Sequence, residues 1–272
     1  MSRQTLSEVE INQFARDVLD SPKYRSIDIP HQLIESLYLQ EAPHHKRLPD
    51  LHKAVRKKLH NIVAAYLGDS DYEQATRDLA EAFQQDQQAV KAVCLQILRN
   101  HVSTQERIPS LDIFYQEIFS RVGKPQVILD LACGYHPFGL PWMNLDPNCQ
   151  YYAFDIIKAR VNFINTFFGF LKRPPLAFQQ DILINPPQIE ADVAFFFKEA
   201  HRFEQRQRGC NRNFWQALKV KHLLVSLPAT SMTMRHDKTD QHRRLVYETI
   251  QDLNWLVEEF QVENELVFWI RK

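Results

Sequence analysis

The sequence has few of the residues on which several common protein classes depend. Only six glycines occur in 272 residues, and none falls in a G-x-G-x-x-G pattern, which disfavours the glycine-lined dinucleotide site of a dehydrogenase. The four cysteines are far apart and form no C-x-x-C pair. This spacing argues against a zinc site or a disulfide framework and suits a reducing cytosol. No apolar run approaches the roughly 18 residues that a membrane span needs.

A net charge is also lacking, since 33 lysines and arginines balance 33 aspartates and glutamates. The whole molecule is therefore not an obvious polyanion binder, and a nucleic-acid surface would require basic residues to cluster locally. With 44% hydrophobic residues the composition is that of a globular protein. No signal peptide or lipidation motif is visible, so we expect a cytoplasmic protein.

The first hundred residues show helical periodicity. Ser7 and Glu10 form a capping-box pattern, and the chain from 51 to 66 repeats apolar residues at spacings of three and four. Lys53, Arg56 and Lys57 lie on the opposite face of that second helix. This basic face is either an RNA-docking surface or an ordinary solvated helix face. We expect residues 1–105 to form a helical N-terminal domain.

After about residue 120, strand-like runs alternate with helical ones. Strands are predicted at Gln126–Leu131, Gln150–Phe154, Leu176–Gln180, Ala191–Phe197, Val220–Leu227, Leu256–Gln261 and Glu265–Ile270. Helices are predicted at Lys158–Leu171, Lys198–Leu218 and Asp240–Leu253. This alternation predicts an α/β, Rossmann-like domain over 106–272, with a mainly parallel sheet and a C-terminal hairpin.

Three acids lie at the ends of three successive predicted strands: Asp130, Asp155 and Asp181. Because the carboxyl ends of parallel strands share one edge of a sheet, the three side chains should line one crevice. S-adenosyl-L-methionine (SAM) carries an ammonium, two ribose hydroxyls and an adenine amine, which are all donors that carboxylates accept. The alternative is three ordinary capping aspartates. On the SAM hypothesis the predicted cofactor-binding residues are Asp130, Ala132, Gly134, Asp155, Ile156, Asp181 and Ile182.

Several motifs resemble the 16S ribosomal RNA guanine-N7 methyltransferases that confer aminoglycoside resistance. They are His101-Val-Ser-Thr-Gln-Glu-Arg107, Asp130-Leu-Ala-Cys-Gly134, Ser226-Leu-Pro228 and Asn264-Glu-Leu-Val-Phe268, in the order that the family has them. The resemblance extends over nearly the whole chain. It implies a helical N-terminal domain that docks on the small (30S) ribosomal subunit and a catalytic domain that methylates N7 of guanine-1405.

The resemblance also implies roles for individual residues. Arg107 should contact the SAM carboxylate, although its residue type alone would favour a surface pair with Glu106 or Asp112. Lys198 should lie near the transfer site or the RNA, as the candidate catalytic residue. Ser226 and Arg235 are candidate RNA contacts. The protein is expected to be a monomer without a metal ion.

The chain differs from the family pattern at three places. His136 stands where the family has asparagine, and Glu199–Phe203 replaces a run of leucines and proline. The segment 229–238 lacks the family's glycines. Two alternatives therefore stay open: a SAM enzyme that acts on another RNA site, and a SAM- and ribosome-binding protein without efficient transfer.

Guanine N7 has a lone pair and no proton to lose, so its methylation needs no general base, only alignment and exclusion of water. Cys133 is accordingly interpreted as a packing residue rather than a nucleophile. The target base must leave the helix, because the major groove of RNA is deep and narrow. Tyr135 and Phe138 are candidates to stack on it, but each is more often a core residue in a chain with eighteen phenylalanines.

Overall fold

Seven strands form one sheet in the computed structural model, which describes residues 6–25, 27–64, 71–229 and 239–272. The strands are β1 (Val127–Leu131), β2 (Gln150–Asp155), β3 (Ala177–Gln179), β4 (Ala191–Phe197), β5 (Val220–Pro228), β6 (Leu256–Val262) and β7 (Glu265–Arg271). Their order is β3-β2-β1-β4-β5-β7-β6. The first five are parallel, and β7 runs antiparallel to β5 and β6. The sheet order reverses beside β1, so the crevice for a ligand is expected at the carboxyl ends of β1 and β4.

Helices precede and cover the sheet. They are α1 (Glu8–Leu19), α2 (His31–Glu41), α3 (Leu48–Val63), α4 (Tyr72–Gln85), α5 (Gln87–Arg99), α6 (Val102–Gln105), α7 (Leu111–Val122), α8 (Leu140–Met143), α9 (Lys158–Phe170), α10 (Ala200–Arg206), α11 (Cys210–Ala217) and α12 (Thr239–Ile250). No helix within the described ranges is both long and apolar enough to cross a bilayer.

The central strands are buried on both faces, which explains their continuous apolar runs. In β4, Val193 and Phe195 point into a core shared with α4, α5, α7 and α9. Ala194 and Phe196 point into the opposite core, which α10, α11 and α12 cover. Helices on both sides therefore leave the carboxyl edge of the sheet as the place for a ligand.

A third hydrophobic core belongs to α1, α2 and α3. It is built from residues between Ile11 and Val63, together with Ile157, which follows β2. Helices α4 and α5 instead pack on α9 and belong to the core of the sheet. The helices of the predicted N-terminal domain therefore belong to two hydrophobic cores, α1–α3 to one and α4–α5 to the core of the sheet.

The predicted α/β fold with its closing hairpin is confirmed, and each predicted strand is found within two residues of its predicted ends. The capping box is also present, with Glu10 N–H donating to Ser7 Oγ at 3.3 Å and Ser7 N–H to Glu10 Oε2 at 2.8 Å. The prediction of one helix over Lys198–Leu218 is wrong. The chain forms α10 and α11 there. Gln207 is extended, with φ −151° and ψ 110°, and Gly209 has a φ of 76°, so neither residue continues the helix.

Candidate active site

The three predicted aspartates lie at neighbouring positions along the carboxyl edge of the sheet. Asp130 is within β1, Asp155 ends β2, and Asp181 follows β3 by two residues. All three are buried. The parallel pairing of β1, β2 and β3 brings them together, as the sequence predicts.

A cleft at this edge has two adjoining parts. The larger part encloses about 810 Å³ up to its open mouth, and Asp155 and Asp181 line it. The smaller part, of about 410 Å³, is lined by Asp130, Gly134 and other residues of the loop after β1. Ala132 and Glu199 line both parts, so the two parts lie side by side.

The loop after β1 brings backbone rather than side chains to the cleft. Ala132 and Gly134 have φ values of 52° and 53°, in the left-handed region that alanine adopts at a cost. Asp155 holds the loop in place, since its Oδ2 accepts a hydrogen bond from Gly134 N–H at 3.1 Å. The carboxylate of Asp155 thus has a structural role in addition to facing the cleft.

Asp155 has two further partners. Its Oδ1 accepts from Ile157 N–H at 2.8 Å, and the guanidinium of Arg160 lies 3.1 Å from Oδ2. Arg160 is fully buried on α9, and its guanidinium lies 4.8 Å from the ring centre of Tyr135. A carboxylate has about four acceptor positions, and these three contacts leave about one of them for a ligand at the end of β2.

Asp181 is paired with Arg206, a residue that sequence reasoning missed. The guanidinium of Arg206 reaches both carboxylate oxygens, at 3.0 and 2.7 Å, and Leu183 N–H donates to Oδ1 at 3.1 Å. Arg206 ends α10 and is itself buried. No sequence motif marked this arginine, which lies three residues after the run Glu199–Phe203 in which the chain differs from the family pattern.

Asp130 belongs to a buried polar cluster in the smaller part of the cleft. Its Oδ2 accepts from Tyr151 Oη at 2.6 Å and lies 2.9 Å from Nδ1 of His136. Burial, and then the charge of Asp130, raise the pKa of Tyr151 well above its usual value, so the phenol stays a donor. His136, which stands where the family pattern has asparagine, is thus held against this aspartate by its ring nitrogen.

Arg107 and Lys198 also line the smaller part of the cleft. Arg107 pairs with Glu265, at the start of β7, rather than with Glu106 or Asp112, the surface partners that its sequence context offers. The ammonium of Lys198 lies 2.7 Å from Glu106 Oε2, 3.0 Å from the Ser103 carbonyl oxygen and 3.6 Å from Glu265 Oε2. Lys198 has a φ of 60°, so strained backbone occurs on both sides of the cleft.

The interpretation of the aromatic and cysteine residues in this loop as core residues is confirmed. Tyr135 and Phe138 are buried in the core beneath the loop, which leaves neither free to stack on a base. Cys133 is buried as well. Burial, followed by the charges of Asp130 and Asp155, raises the pKa of its thiol well above the usual value, so it is a packing residue and not a nucleophile.

The candidate RNA contacts have different environments. Lys53, Arg56 and Lys57 are exposed on α3. Ser226 is 0% exposed within β5, between β4 and β7, so the expectation that it contacts RNA does not agree with its position. Arg235 lies outside the described residues.

Ile156 and Ile182, which were predicted as cofactor-binding residues, line the larger part of the cleft. Other residues of the cleft carry no recognisable sequence signal. Glu199 lines both parts and bonds to Arg202 at 3.1 Å, and burial raises the pKa of its carboxyl to about 7 despite that arginine. Lys58, Asn61 and Ile62 of α3 also line the larger part. No local pattern could have assigned them, because they come from the N-terminal core.

The family comparison agrees with the geometry. A sequence model described as ribosomal RNA methyltransferase (FmrO) matches residues 21–270. The 16S rRNA (guanine(1405)-N(7))-methyltransferase of Micromonospora echinospora is 30% identical over 235 residues, which cover 83% of this chain and 84% of that protein.

Solved structures agree as well. An rRNA methylase from Escherichia coli has a TM-score of 0.78 and 25% identity, covering 96% of this chain and 99% of that one. The 16S rRNA methyltransferase RmtF in complex with S-adenosyl-L-homocysteine (SAH) also has a TM-score of 0.78, with 24% identity over 98% of this chain and all of that one. At 24% identity, the match to RmtF shows that the two chains share a fold.

Proposed function

The chain belongs to the ribosomal RNA methyltransferase (FmrO) family, and we propose that it transfers the methyl group of SAM to N7 of guanine-1405 in 16S rRNA. The relative from Micromonospora echinospora, which is named for this reaction, matches most of both chains. The observation that carries the proposal is the joint position of Asp130, Asp155 and Asp181 along one cleft.

The cleft matches SAM in the chemistry of its donors and acceptors. Asp155 is positioned to accept from a ribose hydroxyl with its remaining acceptor position, and Asp181 with its neighbour Ile182 to meet the adenine. The smaller part, with Asp130 and the backbone of Ala132 and Gly134, would hold the methionine end. A carboxylate there suits the ammonium of SAM, and exposed backbone lets a ligand approach closely.

Arg107 is the proposed partner of the SAM carboxylate. Glu265 takes hydrogen bonds from its Nε and Nη2 groups, so Nη1 is the group able to reach a ligand in the smaller part of the cleft. Glu265 would then orient the guanidinium. The ion pair and the proposed cofactor contact are compatible for this reason.

When bound, SAM supplies an electrophilic methyl group on a sulfonium. The residues of the chain have to hold the base and exclude water, and they need not remove a proton, because guanine N7 carries none. Lys198, with its ammonium on Glu106, is proposed as a positioning residue that joins the end of β4 to the α6 segment, in place of the direct catalytic contact that the resemblance implies.

The exposed residues Lys53, Arg56 and Lys57 are the proposed contacts to the phosphates of the RNA. Arg235 is retained as a further candidate. We propose that the substrate is the assembled 30S subunit and that the enzyme acts on it as a monomer in the cytoplasm, where that substrate is found.

The proposal is tested by methyl transfer to purified 30S subunits from a radiolabelled SAM donor, with the modified base mapped by chemical cleavage at N7-methylguanine. We expect a single new cleavage site at guanine-1405, absent with Asp155→Ala. Modification of another nucleotide would overturn the target assignment. Binding of SAH and of 30S subunits without transfer would identify a non-catalytic relative.

A cellular assay gives an independent answer. Expression in a sensitive bacterium should raise resistance to gentamicin and kanamycin, since methylation of guanine-1405 is the basis of resistance in the family that the chain resembles. Unchanged susceptibility with the soluble protein present would contradict the proposed target. Asp155→Ala, expressed at the same level, is the control.

A further inference from the structure

Helix α3 forms part of the wall of the cofactor cleft, although its hydrophobic face belongs to the N-terminal core. Lys58, Asn61 and Ile62 line the same space as Asp155 and Asp181. Asn61 is exposed, and Ile62 is partly buried against the core of α1–α3. The part of the cleft assigned to adenosine is therefore closed by residues that are more than 90 positions before Asp155 in the sequence.

The N-terminal helices are held in this position by contacts next to Asp155. Ile157, two residues after Asp155, is buried in the N-terminal core, and its N–H group is held by Asp155 Oδ1. The Asp28 carbonyl oxygen accepts from Lys158 N–H at 3.3 Å and from Gln179 Nε2 at 2.6 Å. In the turn that follows β2, Ile156 thus lines the cleft, while Ile157 and Lys158 contact the N-terminal part of the chain.

Two further side-chain bonds join the same surfaces. Asn185 Nδ2 donates to Gln32 Oε1 at 2.9 Å, and Gln40 Nε2 donates to Gln207 Oε1 at 3.3 Å. Gln207 directly follows Arg206, the partner of Asp181. Both aspartates of the larger part are therefore within a few residues of a contact to the N-terminal helices.

The exposed basic residues of α3 lie on another side of the helix. With about 100° of rotation per residue, the cleft residues Lys58, Asn61 and Ile62 are centred about 140° from the centre of the basic residues. Of the basic residues, Lys57 is next to the cleft side, because it lies one turn before Asn61 and only about 40° from it. The buried residues Leu51, Val55 and Leu59 adjoin the cleft side at Ile62. One helix therefore carries the core contact, the cleft wall and the proposed RNA face on adjoining sides.

We propose that α3 is a cofactor-binding element, in which Asn61 and Ile62 close the adenosine part of the cleft, and that cofactor binding and docking of the N-terminal helices stabilise each other. This rests on the proposed use of SAM. Because coupling is reciprocal, a ligand that contacts both α3 and the sheet must favour the docked arrangement. Since α3 also carries the proposed RNA face, occupancy of the cleft would then influence docking on the ribosome.

The first test measures SAH binding to the full chain by calorimetry. Ile62→Ala should weaken binding about 5- to 30-fold, since a partly buried branched side chain no longer covers the ligand. Asn61→Ala should weaken it about 3- to 10-fold. The matched controls are Ile113→Ala and Asn162→Ala, which truncate the same residue types at exposed positions outside the cleft and should bind as the wild type does.

The second test is hydrogen exchange with and without SAH, which does not depend on the stability of a variant. Saturating SAH should slow exchange of amides in α3 and around Asp28 in the wild type at least about threefold. The inference would be overturned if Ile62→Ala and Asn61→Ala both bound SAH as tightly as the wild type does. It would also be overturned if saturating SAH left amide exchange in α3 unchanged. If the wild type does not bind SAH, the proposed function fails and this inference fails with it.

Discussion

Arg107 and Glu265 form a buried ion pair between the segment that precedes α7 and the first residue of β7. The Nε group donates to Oε2 at 3.0 Å, and Nη2 donates to Oε1 at 2.5 Å. The guanidinium carbon also lies 4.1 Å from the ring centre of Phe114 and 4.8 Å from that of Phe197. The pair therefore joins the helical segment, the central strand β4 and the C-terminal hairpin beside the cleft.

Glu265→Gln tests this pair through the acid dependence of stability. Burial alone would raise the pKa of Glu265, but Arg107 and Lys198 outweigh it and lower the pKa to about 2. A lowered carboxyl pKa stabilises the fold above about pH 4.5, and this contribution disappears as the pH falls from 4.5 towards 2. Urea unfolding should show Glu265→Gln less stable than the wild type by about 3 kcal/mol at pH 7, with the gap closing below pH 4.

Glu258→Gln is the control for that measurement, because it changes an exposed glutamate on the neighbouring strand β6. It should follow the wild-type pH profile. A gap for Glu265→Gln that stays constant from pH 7 to pH 3 would contradict the lowered pKa.

Asp155→Asn tests the proposed ribose contact. The amide removes the negative charge and one acceptor oxygen while keeping the shape of the side chain, so SAH affinity should fall about 10- to 100-fold. Asp112→Asn, an exposed aspartate in the first turn of α7, should bind SAH normally. Unchanged affinity for Asp155→Asn, measured by calorimetry on folded protein, would remove this residue from the cofactor site.

The features that could be predicted from the sequence are local ones. The strands were recognisable because each is a short apolar run between turn residues, and the aspartates because each follows such a run. The prediction of a single helix over Lys198–Leu218 is wrong near Gly209. An isolated glycine in an apolar helical pattern does not reveal whether its φ is positive.

Long-range pairs carried no comparable signal. Arg107 and Glu265 are 158 positions apart, and Arg107 has nearer acids that look equally suitable in the sequence. Asn61 and Ile62 read as ordinary residues of an amphipathic helix, because periodicity shows which face of a helix is buried but not which distant element covers the rest. The cofactor class could thus be predicted, while the N-terminal part of its binding site could not.

Glu199 should make stability fall as the pH rises. Burial raises the pKa of its carboxyl to about 7, with Arg202 opposing the shift, and the side chain is 14% exposed. A raised carboxyl pKa means that the folded state binds the proton more tightly, so stability decreases between about pH 4.5 and pH 7. As the pH rises from 5 to 8, the free energy of unfolding of Glu199→Gln, measured with urea, should increase by up to about 3 kcal/mol relative to that of the wild type.

Glu190→Gln serves as the comparison, because Glu190 is exposed just before the other end of β4. Its profile should match the wild type. If Glu199→Gln keeps a constant offset across this range, then Glu199 is ionised throughout and Arg202 dominates its environment.

Gly139→Ala tests how closely the loop after β1 packs on α7. A Cβ at Gly139 would lie 2.2 Å from Tyr115 Oη and 3.1 Å from Cζ, and Tyr115 is buried and cannot move aside. The substitution should cost about 1–3 kcal/mol of unfolding free energy. It should also weaken SAH binding, because the same short turn begins with His136, the partner of Asp130.

Tyr115→Phe should partly rescue Gly139→Ala, since it removes the hydroxyl but leaves the ring carbon at 3.1 Å. A double-mutant cycle should give a coupling of about 1 kcal/mol. Gly169→Ala is the matched control: nothing lies within 4 Å of its Cβ position on α9, so alanine should raise stability by about 0.5–1 kcal/mol there. If both alanine variants have equal stability and equal SAH affinity, the loop does not depend on contact with Tyr115, and His136 must be held by Asp130 alone.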